Sequence, residues 1–102
     1  MIILIGADGQ VTIGEPDDFK RFSVNVHSAE SDFPATAKSA APLVDFENVG
    51  TAWVDIEKLK AFSEFQPQKR VAELDTMVAA AAPHGWVSAD GKAIKSHVKW
   101  QK

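Results

Sequence analysis

The chain has 102 residues, 11 basic and 14 acidic side chains for a net charge of −3, and no cysteine. That length fits one domain, the acidic balance excludes a polyphosphate partner held by bulk charge, and the absent thiol excludes disulfide scaffolds, thiolate metal sites and cysteine nucleophiles. The apolar run Met1–Ile5 is far too short to cross a bilayer and has no basic segment before it, so neither a transmembrane helix nor a signal peptide is expected. The expectation is a cytoplasmic domain without a membrane partner.

Sixteen residues are valine or isoleucine and only four are leucine. Stiff β-branched side chains suit a pleated surface better than a helix, so the core is expected to be largely sheet.

In chain order, Met1–Ile5 reads as a strand buried on both faces and central in its sheet. Ala7-Asp8-Gly9-Gln10 is a hairpin turn, and Val11-Thr12-Ile13 returns as the partner strand. Pro16 opens a single helical turn through Phe19 and Arg21. Residues 22–27 alternate, with Phe22, Val24 and Val26 on one face and Ser23, Asn25 and His27 on the other. Pro34 and Pro42 bracket a candidate short helix that shows no apolar stripe. Leu43–Glu47 alternates again, with Val44 and Phe46 inward and Asp45 and Glu47 outward. After a break at Asn48-Val49-Gly50, Thr51–Val54 forms a short extended piece.

Asp55 is placed to cap a helix along Ile56, Leu59 and Phe62 that ends before Pro67. Val71, Leu74, Met77, Val78 and Ala81 recur at helical spacing over residues 68–82, stopped by Pro83 and Gly85. Trp86–Ser88 and Ala93–Trp100 then flank a second Ala-Asp-Gly turn. The pattern predicts an α+β fold: a mixed or antiparallel sheet of four to six strands, with N-terminal and C-terminal hairpins and two main helices packed on one face.

Motifs exclude more chemistry than they propose. The stretch Gly85–Ala93 has one residue too many between its glycines, and alanine where a phosphate loop needs serine or threonine. The three histidines, His27, His84 and His97, include no pair at i, i+4 spacing, so no metal site and no cofactor are expected. His84, past a helix C-terminus, complements the helix dipole. With no tyrosine and an acidic balance, a stacking surface for nucleic acid is not expected. Trp53 and Trp86 read as lids over the core.

Charge separates along the chain. Residues 1–64 carry six more acidic than basic side chains, and residues 65–102 three more basic than acidic. Lys95, His97 and Lys99 share one strand face, and Asp45 and Glu47 share another. If the two strands pair, or meet across a dimer, opposite charges support their register.

The same residues permit a second reading. Should the polar strand faces be coplanar, His27, Asp45 and His97 become candidate catalytic groups for proton transfer on a small molecule. Asn25, Glu47, Lys95, Lys99 and Trp100 are the accompanying candidates for binding; Trp100, on one face with Ile94 and Val98, either packs on the domain core or anchors a subunit interface. Two functions therefore compete: a homodimeric binding or accessory module, and a small isomerase- or lyase-type enzyme or small-molecule-binding protein.

Overall fold

Ile2–Ile5 (β1) and Val11–Gly14 (β2) pair antiparallel around the first Asp-Gly turn. Gly9 adopts φ of 83°, and the Asp8 carboxylate accepts the Gln10 N–H at 3.0 Å, so both turn residues act locally as their chemistry dictates. The computed structural model describes residues 1–15, 18 and 22–101; the helical turn expected from Pro16 through Arg21 lies, but for Asp18, outside the described residues.

Ser23–Val26 (β3), Val44–Asn48 (β4), Thr51–Asp55 (β5) and Ala93–Trp100 (β6) complete the sheet. Six strands lie in the order β2-β1-β3-β6-β5-β4. β1, β3 and β6 run parallel, and the remaining neighbours are antiparallel. The sheet is mixed, strands stand at both ends of the chain, and the fold is α+β as the pattern predicts.

Helices cover one side. Phe33–Ala40 (α1) starts with Pro34 in its first turn, and Ala41 leaves it extended ahead of Pro42. It buries only Thr36 and Ala40, small side chains that leave no apolar stripe to read. Ile56–Lys60 (α2) is capped as expected, the Asp55 carboxylate accepting the Lys58 N–H at 3.0 Å. It ends well before Pro67, and a 3₁₀ turn at Ser63–Phe65 takes over and buries Phe65. Gln68–Ala81 (α3) buries Leu74 and Ala81, with Val71, Met77 and Val78 half-buried beside the core.

Ile3, Ile5, Val24, Val26, Val44, Val54 and Ile94 point from the sheet into this layer, where Leu59, Phe65 and Leu74 meet them. At roughly 1.5–3 kcal/mol for each large side chain removed from water, this single-sided core holds the domain together.

Two expectations need correction. β1 is interior in the sheet, yet it is not buried on both faces: Met1, Ile3 and Ile5 are buried while Ile2 and Leu4 are half-buried. The reason is that no described element covers the second face. Nor do the strands carrying Asp45 and Lys95 pair. Val49-Gly50 closes a tight hairpin, with the Asn48 side chain accepting the Gly50 N–H at 2.9 Å, so β5 takes the edge of β4 and stands between β4 and β6.

The C-terminal hairpin forms in reduced compass. Val87 bridges Ile94 alone, flanked by hydrogen bonds from Lys95 to Trp86 at 2.7 Å and from Ser88 to Ala93 at 2.9 Å.

Candidate functional site

The face of the sheet that no described helix covers gathers seven of the eight residues singled out from the sequence. Alternation puts Asn25 of β3, Asp45 and Glu47 of β4, and Lys95, His97 and Lys99 of β6 there, with His27 just beyond the end of β3. Their inward neighbours Val24, Val26, Val44, Ile94 and Ser96 are buried, whereas every one of these is exposed or half-buried.

Register fixes who stands beside whom. One row runs Lys95–Trp53–Asp45 across β6, β5 and β4, and the next runs Ser23–His97–Thr51. Lys99 lies level with Asn25, which lies level with Leu4. The Asn25 Oδ1 is buried there and accepts no hydrogen bond from a described residue.

Charge on this face is sorted by strand. β6 presents Lys95, His97 and Lys99; β4 presents Asp45 and Glu47. Lys95 reaches over the intervening strand, its Nζ lying 5.8 Å from the centroid of the Trp53 ring and 4.0 Å from Glu47 Oε2. Only this one of the anticipated pairs of opposite charge forms among the described residues, and it forms across β5 instead of across a shared ladder. At 4.0 Å and half exposed, it contributes at most about 1 kcal/mol.

His27, Asp45 and His97 share the face but not a site. His27 lies four residues beyond Ser23, which is level with His97, and that is about 13 Å along the strand. Asp45 is level with Lys95 and two strands away from β6, about 10 Å across the sheet and about 7 Å along it from His97. At such separations no carboxylate orients an imidazole. Among the described residues, no three histidine, aspartate or glutamate side chains are grouped to hold a metal ion.

An open depression of about 400 Å³ lies at one end of this face, bordered by Asp45, Trp53 and Asp55 and by the turn around Asp90. Of the candidate catalytic residues, Asp45 alone lines it. Two of its carboxylates already have structural work: Asp55 caps α2, and Asp90 accepts the Ser88 hydroxyl at 2.5 Å and the Lys92 N–H at 3.0 Å. The Ser88 hydrogen bond, followed by that from Lys92, holds the Asp90 carboxyl below its ordinary value of 3.8.

Trp53 and Trp86 stand elsewhere than expected, whereas Trp100 takes the core-packed position that one of its two readings foresaw. Trp100 points to the helical side, its ring 6.0 Å from those of Phe33 and Phe46, and its indole N–H donates to the Val49 carbonyl at 2.7 Å. It packs on its own domain. Trp53, expected as a lid over the core, stands half-buried on the open face, on the strand next to the β4 edge. The parity of Thr51–Asp55, with Ala52 and Val54 inward, is the signal that could have shown this. Trp86 is 52% exposed and stacks on His84 with centroids 5.0 Å apart, so it covers no core either.

A comparison with known proteins finds no matching family model, no matching curated protein and no matching solved structure.

Proposed function

We propose that this chain is a non-enzymatic module that associates with a second copy of itself through the open sheet face. The observation that carries the reading is the sorting of charge on that face, basic on β6 and acidic on β4, around a half-buried tryptophan on β5. A surface bearing both signs in separate columns is complementary to a second copy of itself, which is what a two-fold interface requires.

The spacing of His27, Asp45 and His97 favours this reading over proton transfer, because a general base needs its orienting acid within hydrogen-bond reach. The depression beside Trp53 is open and lies away from both histidines, so it offers no enclosed site for a small substrate.

Sedimentation equilibrium tests the proposal. The chain should dimerise at low ionic strength, and the dimer should weaken as salt screens the face. A chain that stays monomeric at millimolar concentration in low salt overturns it.

A further inference from the structure

The ladder register also restricts how two open faces can meet. A face-to-face two-fold axis lying along a strand superposes that strand on its own copy and exchanges its neighbours. An axis along β6 sets the Lys95–His97–Lys99 column against itself. An axis across the strands through His97 sets Lys95 against Lys99 of the other copy, again like against like. Axes along β1 or β3 leave Asp45 and Glu47 facing nothing of opposite sign.

An axis along β5 is different. It exchanges β4 with β6, and Lys95, Trp53 and Asp45 form a single row. Lys95 of each copy then faces Asp45 of the other, twice by symmetry, Trp53 faces Trp53, and the one like-charged pair on the axis is Asp55 with its copy, a carboxylate already engaged by the Lys58 N–H. His97 is brought level with the β4 bulge next to Glu47. We infer that the dimer is built on a two-fold axis along β5, with reciprocal Lys95–Asp45 pairs flanking a central Trp53 contact. This inference rests on the self-association reading above and names its geometry.

The overlap of three strands from each copy is about 14 Å wide and about 17 Å long. That is small for a protein interface, so the dimer is transient and charge decides its affinity. The Lys95–Glu47 contact within one copy, at 4.0 Å, is long enough to be given up for a closer partner.

Charge exchange is the test. Lys95→Glu alone sets a second carboxylate against Asp45 of the other copy, and Asp45→Lys alone sets a second ammonium against Lys95, each clash occurring twice. Both variants should dimerise at least about tenfold more weakly than the wild type at low salt. Mixed in equal amounts they form one charge-reversed and one native pair, and heterodimer affinity should return to within about threefold of the wild type. Single variants that dimerise normally, or a mixture that does not recover, overturn the β5 axis while a dimeric wild type keeps the broader reading. A monomeric wild type removes both.

Should either variant fail to fold, single cysteines decide, since the chain has none of its own. Thr51→Cys lies on the proposed axis and Thr12→Cys lies on β2 of the same face. Packed sheets stand about 10 Å apart, so a bismaleimide of that span should join Thr51→Cys to its copy and leave Thr12→Cys without a cross-link. The reverse pattern overturns the inference.

Discussion

A Cβ placed on Gly9 would lie 2.9 Å from the Cβ of Ser39 and 3.2 Å from its Oγ, so the tip of the first hairpin is seated directly against α1. Ser39 cannot easily give way, because its hydroxyl donates to the Ala35 carbonyl at 3.0 Å. The second Asp-Gly turn has the same backbone twist, with φ of 72° at Gly91, but a Cβ there would meet nothing within 4 Å.

The two turns are therefore predicted to respond unequally to the same change. Gly91→Ala should cost about 1–2 kcal/mol, the strain of a side chain in the left-handed region. Gly9→Ala adds a steric overlap and should cost about 2–4 kcal/mol. Urea denaturation of both variants measures the difference. Equal losses would show that the hairpin tip is free of α1.

Trp100 gives a second prediction, separating its role in the fold from any role in assembly. Its ring packs with Phe33 and Phe46 on the helical side, and its N–H bonds to the Val49 carbonyl. Trp100→Phe keeps most of the ring contact and should lose about 1 kcal/mol with that hydrogen bond. Trp100→Ala should lose about 2–4 kcal/mol, because the cluster cannot close over the gap. Neither should alter the self-association constant once corrected for folding. A dimer abolished by Trp100→Phe at unchanged stability would move the interface to the helical side.

How far the sequence can be read depends on the range of the interaction responsible. Local chemistry is legible: the Asp8-Gly9 turn, the Asp55 cap, the α3 span and the alternation of 22–27 each depend on neighbours in the chain. The sharing of one face by Asn25, Asp45, Glu47, Lys95, His97 and Lys99 is legible too, since parity alone decides it. Strand order is not. Residues 44–48 and 93–100 carry opposite charges at matching parity, and nothing in that pattern shows that Val49-Gly50 inserts β5 between them. That insertion separates Asp45 from His97 and sets Trp53 in the open face. The helix α1 is legible only through its brackets, Pro34 and Pro42, because Thr36 and Ala40 bury too little to write a stripe.

The last prediction concerns pH. Lys60 of α2 donates to Asp75 of α3 at 2.7 Å and lies 3.9 Å from Glu57, tying the two helices together. The hydrogen bond to Asp75 raises the Lys60 pKa above its ordinary 10.5, outweighing the desolvation that lowers it. A raised folded-state value means that the native chain holds this proton more tightly than the unfolded one. The contribution is thus fully present below 10.5 and is lost as pH climbs through the folded-state value. The lysine side chain retains 23% of its exposure and Asp75 57%, so screening limits the effect to about 0.2–1 kcal/mol. Comparing the wild type with Lys60→Met by urea denaturation at rising pH isolates it, because every other lysine titrates in both. The gap between the two curves should be constant below 10.5 and close above it. A gap that persists unchanged into strong alkali would mean that Lys60 holds α2 to α3 by the packing of its aliphatic stem, and that the ion pair with Asp75 contributes nothing.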